Sequence, residues 1–347
     1  MKLCTFEVVS PLGAVARVGV QSGSRIIDAT AARIVLLEQS VPVEAARRVG
    51  CAQVPADMIA LIGCGQVALD WVEEGIRFVE QAACTHTSDG QATFYAEASV
   101  RLLAPVPRPA GMANFSVWPE HSALASAKGM PVVANRADSV VKPYWKGNPD
   151  SVVGGGVDLQ FPPYAEELDV ECELACIVGT GGKNLDVAAA ERAIAGYTIL
   201  NDVSARERQR EEKKAGRGPS KGKDFDTGNA MGPWLVTRDE VGDVRALQMS
   251  LHVNDQELSS ASTASMIWTF AEMLSYLSQG QTIRPGQVIS GGCYPRGSAL
   301  DLGHKIHPGD LIALRITHLG TLTNRIAKLP SPRVSADQFN PGTVDRP

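Results

Sequence analysis

Two carboxylates separated by one residue stand inside an otherwise apolar run, Glu171-Cys172-Glu173 within Val170 to Val178. Such a run reads as a strand. Side chains alternate along a strand, so Glu171 and Glu173 share one face while Cys172 and Leu174 take the other. Paired carboxylates in a core strand repel each other and are costly to desolvate unless a cation or hydrogen-bond donors lie between them. A solvent-facing stripe would also accommodate them, and the pair alone does not decide. Asp202 adds a third carboxylate: it ends the apolar segment Tyr197 to Val203 and precedes a charged stretch beginning Ser204-Ala205-Arg206. An aspartate in that place serves either as a helix N-cap or as a ligand. Three carboxylates with oxygen-only chemistry suit Mg²⁺, Mn²⁺ or Ca²⁺, with water or substrate completing the coordination.

The elements that must position these groups can be read in outline. Residues 1–30 form a strand meander, Leu3 to Val8, Val15 to Val20 and Arg25 to Asp28, punctuated by Pro/Gly and Ser-Gly turns. Residues 31–85 carry apolar residues at helical spacing, for instance Ala68, Val72, Ile76 and Val79. The Pro-punctuated segment 103–109 reads as a linker, which divides the chain into a smaller N-terminal α+β domain (1–104) and a main domain (105–330), with a polar tail (331–347). In the main domain a helix is expected from Pro119 to Ala127, strands at 170–178, 197–203 and 247–253, helices at 186–195 and 265–277, and strands around Val288 and 311–316. The run 206–224 interleaves Glu207, Glu211 and Glu212 with its cations, which suits a charged helix followed by a mobile lid rather than a nucleic-acid arm.

The 347 residues suffice for one large core with a small companion. Lys and Arg number 33 against 38 Asp and Glu, a formal charge of −5 that argues against a nucleic-acid backbone binder. No apolar run approaches the ~18 residues of a membrane span, and Glu7 arrives before a signal-peptide core could form. Seven cysteines without a CxxC pair read as reduced thiols, so a cytoplasmic location is expected, with neither membrane nor nucleic acid as partner. The Gly154-Gly155-Gly156 and Gly179-x-Gly181-Gly182 stretches lack dinucleotide-site spacing and read as turns.

The ordered motifs Glu171-x-Glu173, Gly196-Tyr197-Thr198-x-x-Asn201-Asp202-Val203-Ser204-Ala205-Arg206-x-x-Gln209, Lys223-Asp224-Phe225-Asp226-Thr227, Gly232-Pro233-Trp234, Pro285-Gly286-Gln287-Val288 and Pro308-Gly309-Asp310 resemble the fumarylacetoacetate hydrolase family. The resemblance covers roughly residues 105–328. It implies a β-rich α+β fold, a mixed β-sandwich roll, expected as a homodimer. It also implies a site in which Glu171, Glu173 and Asp202 hold a divalent cation, Mg²⁺ first and Mn²⁺ or Ca²⁺ next. Lys223 and Thr227 would support the metal, Arg206 and Gln209 would face substrate, and His121, just inside the main domain, would activate water.

Three positions depart from the family pattern. Asn114 stands where some relatives place a further aspartate ligand, Ser116 where some place a tyrosine, and Gly291-Gly292 replaces Gly-Thr near the substrate carboxylate. They leave the metal chemistry in place and bear on the substrate. The function implied is metal-dependent hydrolysis of a C–C bond in a 1,3-diketo acid such as an acylpyruvate. Lys223, Arg206 and Gln209 would stabilise the departing carbanion. A keto-acid decarboxylase, hydratase or isomerase on the same metal site is the alternative. Hydrolysis needs a base for water, and the resemblance implies a histidine polarised by a nearby carboxylate. Glu120 is adjacent in sequence and lies about 100° away around a helix, so it does not face the imidazole; the sequence names no other partner.

Overall fold

The computed structural model describes residues 1–10, 13–127, 129 and 135–328. The polar tail therefore lies outside the described residues, as do Lys128 and Met130 of the segment after His121. The chain opens with strands β1 (Lys2–Ser10), β2 (Gly13–Ser22) and β3 (Arg25–Asp28). Four helices follow, α1 (Ala29–Leu37), α2 (Val43–Gln53), α3 (Met58–Gly63) and α4 (Gln66–Ala82). Then come β4 (Phe94–Ala96), β5 (Gly111–Phe115), α5 (Pro119–Ala127), β6 (Tyr144–Gly147), β7 (Glu171–Val178), α6 (Val187–Ala193), β8 (Ile194–Asp202) and α7 (Arg206–Lys214). The last part comprises β9 (Asn229–Thr237), β10 (Gln248–Val253), β11 (Gln256–Ser262), α8 (Phe270–Leu277), β12 (Gln287–Ser298), β13 (Leu311–Ile316) and β14 (Gly320–Arg325).

Ten of these strands run through one mixed sheet in the order β4-β3-β2-β1-β9-β8-β7-β12-β5-β6, and β11-β10-β13-β14 form a second sheet. The boundary expected near residue 105 does not interrupt the hydrogen bonding. β1 pairs antiparallel with β9 through Lys2↔Val236 and Leu3↔Leu235, so the N-terminal part extends the edge of the main sheet.

The two faces of the central strands meet different layers. Cys172, Leu174, Cys176, Tyr197 and Ile199 pack in one core with Met249, Leu251, Ile312 and Leu314 of the second sheet, which makes the sandwich. On the opposite face, Met112, Ala175, Ile177, Leu200 and Val288 pack beneath the N-terminal helices, against Ile62, Ala68, Leu69 and Val72. Helix α4 turns its buried stripe Ala68, Val72, Gly75, Ile76 and Val79 inward. Gly75 lets α4 close on α1, because a Cβ there would stand 2.9 Å from the Ala32 carbonyl carbon and the Arg33 nitrogen.

Two local expectations are corrected. The helix expected from Ser265 begins at Phe270: Thr269 and Glu272 form a reciprocal capping box, and the preceding residues Thr263–Ser265 make a short 3₁₀ turn. Strands β9, β11 and β14 were not expected. β9 carries Gly232-Pro233 within it, and β11 is a Ser-rich edge strand without apolar alternation.

Candidate metal centre

The apolar face beneath the N-terminal helices changes character along each strand. On β7 it runs from Ile177 and Ala175 to Glu173 and Glu171; on β8, from Leu200 to Asp202. On β12 it runs from Val288 to Ser290, and on β5 from Met112 to Asn114. These four strands are neighbours in the order β8-β7-β12-β5. The register therefore gathers Glu171, Glu173, Asp202, Ser290 and Asn114 at one end of the same face, all of them buried. Asp202 is a strand end, not a cap: the residue before α7 is Ala205, and it makes no side-chain capping bond.

The carboxylates are held by a dense set of donors. Lys223 Nζ lies 2.6 Å from Glu171 Oε2 and 2.7 Å from Asp202 Oδ2. Arg206 donates through Nη2 to Glu171 Oε1 at 2.6 Å, through Nε to Asp169 Oδ2 at 2.6 Å and through Nη1 to Gln209 Oε1 at 2.7 Å. Asn114 Nδ2 donates to Glu173 Oε2 at 2.8 Å and to Asp202 Oδ2 at 2.9 Å, and Ser290 Oγ donates to Glu173 Oε2 at 2.6 Å.

The electrostatics follow from this arrangement. Burial would raise the Glu171 carboxyl, but Arg206 and Lys223 outweigh it and hold the group below the usual carboxylate range. Glu173 has no comparable cation; burial, Asp202 and Glu171 push its carboxyl up. Burial also raises Asp202, to about 6, against the pull of Lys223. With Asp169, four buried carboxylates face two buried cations, an excess of negative charge that a divalent ion would offset.

The donor set fits such an ion. One oxygen from each of Glu171, Glu173 and Asp202 lies within 4.8 Å of the others, and the buried Asp202 Oδ1 has no hydrogen-bond partner among the described residues. An all-oxygen set of this kind suits Mg²⁺, Mn²⁺ or Ca²⁺.

Above the carboxylates opens a cleft of about 330 Å³. His121, on α5, forms part of its wall and points Nδ1 at Asp301 Oδ2, 2.7 Å away, while its Nε2 stands 3.9 Å from Glu171 Oε1. Asp301 sits in the one-turn helix Ala299–Leu302 at the end of β12, where its Oδ2 also accepts from Arg296 N. This is the carboxylate partner that the sequence does not name. A contact across 180 residues leaves no local pattern. Glu120, its sequence neighbour, is exposed. Asp169 was missed for the same reason: it holds Arg206 from one side and accepts from Leu300 N at 3.2 Å, tying α7 to the Asp301 helix.

The remaining expected residues divide. Ser116, Gln209 and Gly292 line the cleft with His121 and Lys223. Ser116 Oγ lies 3.2 Å from Ser122 Oγ. Gly292 has φ +87°, and a Cβ there would meet Phe115 O at 2.4 Å, so the close approach of β12 to the end of β5 requires a glycine. Thr227 stands apart from these residues. Its hydroxyl accepts from Gln160 N at 2.8 Å, and it is not among the cleft-lining residues. Its left-handed backbone, φ 62°, belongs to the turn after Lys223. None of His86, His252, His304, His307 and His318 lines the cleft, and all seven cysteines are free thiols.

Residues 114–327 match the model of the fumarylacetoacetate hydrolase C-terminal domain, more than half of the chain. The chain belongs to the fumarylacetoacetate hydrolase family. Family relatives include a protein from Burkholderia multivorans named only as a hydrolase. It is 37% identical over 203 residues, which cover 58% of this chain and 67% of the relative. Two solved structures of the family share the fold. One is maleylpyruvate hydrolase from Sphingobium sp. SYK-6 in complex with manganese(II) and pyruvate (TM-score 0.67, 22% identity, 95% of this chain and 100% of that one). The other is fumarylacetoacetate hydrolase from Exiguobacterium antarcticum (TM-score 0.65, 24% identity, 94% and 99%). A 2-hydroxyhepta-2,4-diene-1,7-dioate isomerase from Mycobacterium marinum is similar to a like degree (TM-score 0.61, 22% identity, 94% and 98%). Among the described residues no helix is long and apolar enough to cross a membrane.

Proposed function

We propose that this family member hydrolyses a C–C bond of an acylpyruvate-type 1,3-diketo acid. The observation that carries the reading is the His121–Asp301 pair, 2.7 Å apart, set on the wall of a cleft whose floor is the carboxylate cluster. Glu171, Glu173 and Asp202 would hold the cation. A divalent ion in that position supplies Lewis-acid polarisation of the enolisable dicarbonyl. Asp301 accepts from Nδ1–H of His121 and so fixes the tautomer that leaves Nε2 as the base. Nε2 takes a proton from water as the oxygen adds to the acyl carbonyl. The bond between that carbonyl carbon and the methylene carbon then breaks, and the methylene carbon takes a proton to leave pyruvate beside the released carboxylate.

Lys223 and Arg206 are both engaged with Glu171, so they fix the floor and neutralise charge accumulating above it. Gln209 Oε1 accepts from Arg206 Nη1, which leaves the amide NH₂ for the substrate. The structural kinship to a named isomerase favours a second reading, isomerisation on the same floor; decarboxylation of a keto acid there is the other alternative.

Kinetics on His121→Ala with an acylpyruvate and with oxaloacetate tests the choice. Hydrolysis should fall by roughly 10²–10⁴-fold, the usual worth of a general base, with Mg²⁺ affinity unchanged. Unaltered hydrolysis in that variant would sink the mechanism.

A further inference from the structure

Of the three lysines and arginines that line the cleft among the described residues, two are fully engaged: Arg206 with Asp169, Glu171 and Gln209, and Lys223 with Glu171 and Asp202. The third is Lys213, half-buried in the wall and without a hydrogen bond or ion pair among the described residues.

Its place is set by α7. Arg206, Gln209 and Lys213 fall at i, i+3 and i+7, one stripe of the helix, and all three line the cleft. Seven residues of helix at ~1.5 Å each put the Lys213 backbone about 10 Å beyond that of Arg206. Helical side chains lean toward the N-terminus, so its amine comes back over the cleft rather than out to water. Among the described residues the rest of the cleft wall offers it no carboxylate: Ser122, Ala125, Asn135, Pro143 and Tyr144 are neutral. Burial pulls the Lys213 ammonium down to about 8, with Lys223 and Arg206 adding to the fall and Glu171 opposing it. It therefore carries its charge near neutral pH while poorly solvated. That state is stabilised by an incoming anion.

We infer that Lys213 is a specificity-determining residue, binding a second carboxylate at the far end of the substrate, so that the enzyme prefers keto and diketo diacids over monoacids of the same length. The inference rests on the keto-acid reading of the cleft: the keto-carboxylate end sits over the floor of Glu171, Glu173 and Asp202, and the distal carboxylate reaches the lysine.

The test is calorimetric binding to the Mg²⁺-loaded protein of 2-oxosuberate, a long keto diacid, and 2-oxooctanoate, its monoacid counterpart. A charge-assisted hydrogen bond predicts that the diacid binds about 10-fold or more tightly than the monoacid. Lys213→Met should erase that difference by weakening the diacid alone, and Lys213→Arg should keep it. Equal binding of the two ligands by the unaltered protein, or a preference that survives in Lys213→Met, overturns the assignment. So does a parallel loss of both ligands in Lys213→Met, which marks a merely structural role. Absence of acylpyruvate cleavage, with the two keto acids still bound and discriminated, would refute the hydrolase reading and leave the role of Lys213 standing. Failure of both ligands to bind overturns the two together.

Discussion

The two halves of one sheet face are built by the same four strands and differ in what covers them. Beneath the N-terminal helices the face carries Met112, Ala175, Ile177, Leu200 and Val288, sealed in an apolar core. A few residues along it carries Asn114, Glu171, Glu173, Asp202 and Ser290 below an open cleft walled by α5 and α7. The first half stabilises the fold through burial. The second opposes folding, because charges are withdrawn from water and one carboxylate oxygen of Asp202 has no partner among the described residues. Function has been placed where the sheet can bear that cost: at the end of central strands whose other half, and whose whole opposite face, are packed. The floor of the site is thus buried, while its walls, α5 and α7, are half-exposed.

That contrast can be broken by substitution. The largest effect is expected at Glu173. Glu173→Ala should abolish metal-dependent turnover and the rise in Tm on adding Mg²⁺, a rise worth roughly 2.7 kcal/mol when the ion is at about 100 times its Kd. Equal Mg²⁺ affinity in the variant would remove Glu173 from the ligand set. In metal-free protein the sign should reverse for the isosteric change. Glu173→Gln keeps an oxygen for Asn114 and Ser290 and removes a buried charge, so denaturant unfolding in EDTA should show a gain of about 1 kcal/mol.

On the wall, Asp301→Asn should lower the kcat for acylpyruvate by about 100-fold through loss of the His121 orientation, with Mg²⁺ binding intact. In the apolar half, Ile177→Ala should cost about 2–5 kcal/mol of stability in denaturant titration. Calorimetry on the same variant should return an unchanged Mg²⁺ affinity; a shifted one would mean that the two halves are not independent. The smallest effect belongs to Glu120→Gln. The side chain is exposed, and kcat should stay within about twofold.

The same contrast explains what could be read in the sequence. Glu171-x-Glu173 within an apolar strand announces both a shared face and an anomaly of charge, because alternation is a local rule. α5 was legible to its ends, Pro119–Ala127, from its opening proline and the acidic residue in its first turn. The partner of His121 was not legible. Asp301 comes to it through the bend at the end of β12 and through Asp169, which pins the Asp301 helix to Arg206, and neither contact has a sequence period. β9 and β11 escaped for a different reason. Their pairing is decided by neighbours already in place, and their own residues, a Gly-Pro in one and a Ser-rich stretch in the other, argue against strand. Thr227 matches the motif by type, and its hydroxyl, on a left-handed backbone, accepts from Gln160 N, a contact across the chain that no local pattern marks.

Product analysis tests the central claim most directly. An acylpyruvate incubated with the protein and followed by NMR should yield pyruvate and the acyl carboxylate in equal amounts. The reaction should stop on adding EDTA and resume on restoring Mg²⁺ or Mn²⁺. Release of carbon dioxide or of a rearranged isomer in place of those two acids, or cleavage that continues undiminished in EDTA, would contradict the account.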